Sequence, residues 1–116
     1  MAKEIVKPFV FEIGEKKYTL EFNRNSAKAA ERKGLTLQDV LNMSTPATTL
    51  PLLFWAAFKM HHPEVTQEQA DKMLNEDFGG LSTEEVQRLI SLFVVSYETL
   101  LRDESAGERK NVKVSL

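Results

Sequence analysis

The segment Leu50–Pro63, reading LPLLFWAAFKMHHP, constrains this chain most because it is apolar on every side. On a helical wheel Leu50, Leu53, Phe54, Ala57 and Phe58 form one stripe, and Leu52, Trp55 and Ala56 lie opposite, interrupted only by Lys59. A helix that is apolar all round has to be buried all round. A domain of this size buries only about two-thirds of the surface of its unfolded chain. Two arrangements satisfy the helix. Either the remaining elements wrap it as a central strut, or a partner or second copy covers the side bearing Leu52 and Trp55. Leu92 and Val95, on the back of the last predicted helix, add to the apolar surplus. Together with Leu52 and Trp55 they are the candidate partner-binding residues, because buried apolar and aromatic anchors dominate interface energies.

The totals bound the class. At 116 residues and 42% hydrophobic content the chain suits one ordinary globular domain. A net charge of −2 gives it no general attraction for nucleic acid or anionic lipid. Cysteine is absent, which excludes disulfides and thiolate metal sites and fits a reducing cytoplasm. The charged N-terminus lacks the apolar core of a signal peptide, and the longest uncharged run, Val40–Phe58, carries two prolines and several Asn, Ser and Thr residues and does not read as a bilayer span. A cytoplasmic protein without a membrane segment is expected.

Residues 8–23 read as a β-hairpin. Phe9, Phe11 and Ile13 alternate with Val10 and Glu12; after Gly14-Glu15-Lys16-Lys17, Tyr18, Leu20 and Phe22 alternate with Thr19 and Glu21. A lone hairpin is marginal in water, so its aromatic face must rest on the helices that follow. Helix-start signals recur at Leu35-Thr36…Asp39, Val65-Thr66…Gln69 and Leu81-Ser82…Glu85, each a capping box with apolar residues placed to staple it, Asp39 being the shortest fit. Gly34 closes a short helix begun near Asn25, Pro63 stops the apolar helix, and Gly79-Gly80 end the segment opened by Thr66. The last helix, from Ser82 to about Arg102, has the strongest period, with Val86, Leu89, Ile90, Phe93, Val94, Tyr97, Leu100 and Leu101 on one stripe. The fold class is therefore α+β: about five helices with an N-terminal hairpin, in one domain over residues 1–103. Residues 104–116 form a polar, flexible tail, whose alternating Val112, Val114 and Leu116 could add a strand to the hairpin.

Chemistry finds little purchase. His61-His62 point about 100° apart on a helix and do not chelate as an i, i+4 pair would. They suit a helix C-terminus, where imidazoles meet the negative end of the dipole, with His61 half-buried beside the Leu50–Phe58 stripe. Glu84-Glu85 and Glu76-Asp77 sit in a cap and a turn, and no nucleophile elbow, Walker or dinucleotide glycine pattern occurs. Neither an enzyme, a cofactor nor a metal site is expected. Glu31 lies among Lys28, Arg32 and Lys33, Glu108 precedes Arg109, Lys110 and Lys113, and neither set has the grammar of a recognition helix.

The order of these elements resembles the small tail assembly chaperones of long, non-contractile-tailed (siphovirus-type) bacteriophages and the related tail proteins of gene transfer agents. The similarity covers residues 8–102 and is most specific in Leu52–Ala70, where the apolar helix meets a His-Pro break and a Thr-capped helix. The resemblance implies a protein that coats the extended, helical tape measure protein, keeps it soluble and brings tail tube subunits to it. It also implies self-association, no active site, and residence in the host cytoplasm. Many members are made in two forms by a ribosomal frameshift near the end of the short product, and Arg109-Lys110-Asn111 could be encoded by a slippery run of that type. Another virion component, such as a ring-forming head–tail completion protein, or a small regulatory or nucleic-acid adaptor, would also suit a chain with these features. If Trp55 forms a contact face, Trp55→Asp keeps the helix content and abolishes association; unfolding instead places Trp55 in the core.

Overall fold

A computed structural model describes residues 6–98, an antiparallel hairpin followed by five α-helices. The hairpin turns on two residues. Gly14 takes φ +63° ahead of Glu15, a left-handed geometry that glycine adopts without a Cβ penalty and that matches the twist of a two-residue hairpin. β1 (Phe9–Ile13) and β2 (Lys16–Leu20) therefore pair with Ile13 opposite Lys16 and Phe9 opposite Leu20. The expected loop was two residues too long. Lys16 and Lys17 join the ladder because the tight turn leaves them opposite Ile13 and Glu12, and exposed lysines carry no hydropathy signal for it.

Four helix starts are built by side chains. α1 (Arg24–Arg32) is capped by Asn23, whose Oδ1 accepts from Ser26 N–H while Ser26 Oγ accepts from Asn23 N–H, both at 2.8 Å. This box opens the helix earlier than the expected Asn25. Thr36 caps α2 (Leu37–Asn42) by accepting from Asp39 N–H at 3.0 Å, and the short Asp39 side chain does not return the bond. Thr66 with Gln69 opens α4 (Gln67–Lys72), and Ser82 with Glu85 opens α5 (Thr83–Val95), each as a reciprocal capping box. Each cap satisfies backbone donors that the helix leaves unpaired. At the end of α1, Gly34 stands at φ +94°, its N–H bonding Glu31 O and the Leu35 N–H bonding Ala30 O. This is a glycine C-cap of the Schellman type, and it drops Leu35 into the core.

α3 (Pro46–Phe58) is the centre of the structure. Pro46 occupies its first turn, where a missing N–H has no consequence. Pro51 lies inside it and withholds the N–H that would reach the Ala47 carbonyl. From Leu53 to Phe58 every residue is buried. α1, α2, α4, α5 and β2 all pack against this helix. Phe54 and Phe58 meet Phe11, Tyr18 and Phe78 in a cluster of rings with centroids 4.8–6.3 Å apart. Such pairs add roughly 0.5–1.5 kcal/mol each beyond the area they bury.

Two elements depart from expectation. After α4 the chain widens into a π-helical turn, Met73–Asp77, in which Phe78 N–H bonds Met73 O and Gly80 N–H bonds Leu74 O. The widened turn delivers Phe78 to Phe11, and Gly79 and Gly80, both at positive φ, end it. Apolar spacing carries no mark of an i→i+5 bond. The α-helical bonding of α5 stops at Val95 and gives way to i→i−3 bonds from Tyr97 and Glu98. The expected continuation to Arg102, with Leu100 and Leu101, lies outside the described residues, as does the segment 104–116.

The chain thus encloses its own apolar helix. Trp55 is 6% exposed and Leu92 4%; both were expected on a contact face and belong to the core, because five elements converge on α3 where a contact face would need one side open. Trp55→Asp is therefore expected to unfold the protein, read as loss of helical circular dichroism, since an unpaired carboxylate would replace a buried ring. Retained helix content would return Trp55 to the surface.

Candidate partner-binding face

Of the four residues that the sequence offers for partner contact, only Leu52 and Val95 keep part of their surface, both being half-buried. Leu52 packs against the edge of the core, one helical turn before Trp55. Within Leu53–Phe58, Trp55 alone keeps any exposure, at 6%. The Lys59 ammonium lies 4.6 Å from its ring centroid and that of Lys33 5.9 Å, within the range of cation–π attraction. Its indole N–H has no acceptor. The two ammonium groups lie over the ring of a residue otherwise buried among apolar side chains.

Among the described residues the large apolar side chains left exposed are Leu41 at 58%, Val10 at 47% and Met60 at 37%. Leu41 stands on the last turn of α2, beside fully buried Val40. α2 contacts both α3 and α5, and those two contact each other. Leu41, Leu52 and Val95 are therefore carried by three mutually packed helices. Leu41 was missed in the sequence because a six-residue helix is too short for its outward face to be read from periodicity. Val10 is the outward residue of the β1 alternation and Met60 follows the end of α3.

The histidines fasten the hairpin to α3. Thr19 N–H donates to His62 Nε2 at 2.9 Å, so that nitrogen holds a lone pair and Nδ1 carries the hydrogen, facing Glu64 Oε2 at 3.9 Å. The ring also packs edge-on to Tyr18, with centroids 5.2 Å apart. His61 Nε2 meets Glu21 Oε1 at 2.9 Å in a more exposed pair. The half-buried histidine is thus His62, where His61 was expected: the α-helix has ended at Phe58, and the 100° spacing no longer carries the stripe to His61. Neither is arranged for a metal, and among the described residues no group of three or more His, Asp or Glu could hold one.

Among the described residues three clefts lie near the π turn, one of them a polar cleft of about 660 Å³ along α4 between Thr66 and Glu76. A second, of about 370 Å³, lies between β2 and the α4 segment, with Tyr18, Val65 and Met73 beside Lys16, Lys72 and Glu64. Its charges are mixed, and it presents no nucleophile with a base. The third, of about 290 Å³, runs beside β1 and the start of α5. Lys28, Arg32 and Lys33 are exposed on α1, and Lys33 is engaged over Trp55; Arg109, Lys110 and Lys113 lie outside the described residues. At the far end of α5 the Tyr97 hydroxyl donates to Glu31 Oε2 of α1. Burial, then the hydrogen bond to Glu31 and its charge, raise the Tyr97 hydroxyl far above the ordinary phenol range.

These features define a small α+β helical domain with a self-enclosed core. Over residues 1–116 the chain matches the family described as Domain of unknown function (DUF5055), and it belongs to that family. No curated protein and no solved structure matches it.

The two histidines make separable predictions. His62→Ala should cost about 1–3 kcal/mol by leaving the Thr19 N–H unpaired, whereas His61→Ala should stay within about 0–1 kcal/mol, as exposed ion pairs do; urea unfolding distinguishes them. For Tyr97 the folded state holds its proton more tightly than the unfolded state. Its stabilising contribution is full below the ordinary phenol value of about 10 and declines as pH rises above it. Tyr97→Phe should flatten this alkaline loss of stability in thermal melts taken across that range, and an unchanged alkaline slope would exclude the Tyr97–Glu31 contact as its source.

Proposed function

We propose that this protein is a tail assembly chaperone of a long-tailed bacteriophage, a binding protein that holds the tape measure protein in the host cytoplasm and brings tail tube subunits to it. Three lines support this reading. The first is the resemblance in element order, from the hairpin through the apolar helix and His-Pro break to the closing amphipathic helix. The second is the fold itself, which spends its strongest apolar stretch on a rigid centre and leaves Leu41 free for association. The third carries most: Leu41, more than half exposed, sits on the helix that packs against the helices bearing Leu52 and Val95. An exposed leucine on a helix packed against helices that carry half-buried Leu52 and Val95 suits the apolar stripe of another helix, as in helix-in-groove recognition. Self-association through the same helices would let copies line up along an extended partner.

The solution mass of the full chain with and without a tape measure fragment tests the reading. A complex should form, and Leu41→Asp should weaken it at least tenfold, or about 1.4 kcal/mol. The stability of the free chain should change by only about 0.5 kcal/mol, as for other surface positions. A chain that ignores the fragment would remove the chaperone reading. DNA binding that falls steeply with salt would put a nucleic-acid adaptor in its place.

A further inference from the structure

β2 and β1 leave very different edges. Thr19 donates its N–H to His62, and Glu21 donates its N–H to Ala57 O at 3.1 Å, so α3 and the turn after it cover the outer edge of β2. These bonds also fix the phase of the ladder. Thr19 points its backbone groups away from β1, and residues opposite one another in an antiparallel pair share that orientation. Val10, opposite Thr19, and Glu12, opposite Lys17, therefore aim their N–H and C=O groups outward from β1. No described residue bonds them. Pro8 falls at the same phase, where its missing N–H costs the hairpin nothing.

The cleft of about 290 Å³ runs along this edge. Phe9, Phe11 and Phe78 line it on the core side, and Glu84, Glu85 and Arg88 of α5 form its rim. With exposed Glu12 and Lys17 opposite it, the surroundings hold three acids and two bases. An unpaired edge beside an apolar, mainly acidic groove accepts a strand that alternates apolar residues with cations.

We propose that the outer edge of β1 is a strand-addition site and that its occupant is the chain's own segment Asn111–Leu116. Val112, Val114 and Leu116 share one face in that segment, matching the face of Phe9 and Phe11 beside Phe78, and Lys113 alternates with them on the face of Glu12. Arg109 and Lys110 precede it, and no acid lies between Arg109 and Leu116. The connection can reach. The 13 residues of α5 carry the chain about 20 Å from the groove. Residues 99–110, at no more than about 3.3–3.6 Å each, can span about 40 Å. A segment tethered this way competes at an effective concentration near millimolar, which favours it over the same segment of another copy. The proposal does not depend on the chaperone reading.

Amide hydrogen exchange by NMR on the full chain tests it. Val10 and Glu12 should exchange at least about tenfold more slowly in the natural chain than in Val114→Pro, independently of protein concentration. The amides of Phe11 and Tyr18, inside the hairpin ladder, report in both that the hairpin is folded and should not change. Equal exchange of Val10 and Glu12 in the two chains overturns the proposal. Protection that grows with concentration, with a matching rise in mass by light scattering, also overturns it and assigns the edge to a second copy.

Discussion

Enclosure of one apolar helix is the condition on which the rest of this structure depends. α3 has no polar face to turn to water from Leu53 to Phe58, so each neighbouring element is placed by the need to cover it. The hairpin lays its aromatic face over Phe54 and Phe58, α1 and α5 cover other sides, and α4 approaches from the end where the chain has just turned back. At Trp55 the cover includes the ammonium groups of Lys33 and Lys59, which lie over the ring. The orphaned indole N–H is a consequence of closing the core at that point.

The same requirement explains the less regular parts of the fold. The histidines after Phe58 bring the hairpin to the end of α3, and the π turn widens α4 enough to set Phe78 among the rings. A core built from this many aromatic residues needs particular ring orientations as well as buried area, and irregular backbone supplies them. Caps at Asn23, Thr36, Thr66 and Ser82 then define where each covering helix begins, so that short helices with little intrinsic stability can be held in place by packing.

This enclosure also changes how a binding function is read. An apolar helix seemed to require a partner, yet the chain satisfies it internally, and the surface left for association is smaller and lies elsewhere. Leu52 and Val95 stay half-buried, and Leu41 is exposed on a helix whose outward face gave no periodic signal. The open edge of β1, on a different part of the molecule, offers backbone hydrogen bonds in place of apolar area.

What the amino-acid order determined by itself was local: the alternation of the hairpin, the caps at Thr36, Thr66 and Ser82, the glycine and proline stops, and an apolar stretch that had to be buried somewhere. These are effects of neighbours within a few residues, and each leaves a spacing that can be read. The tertiary structure alone decided which surface covers Trp55 and Leu92, that His62 rather than His61 accepts a strand amide, and that a π turn carries Phe78 into the core. Those outcomes depend on residues distant in sequence, such as Thr19 and His62 or Phe11 and Phe78, whose meeting is set by how five elements share the space around one helix.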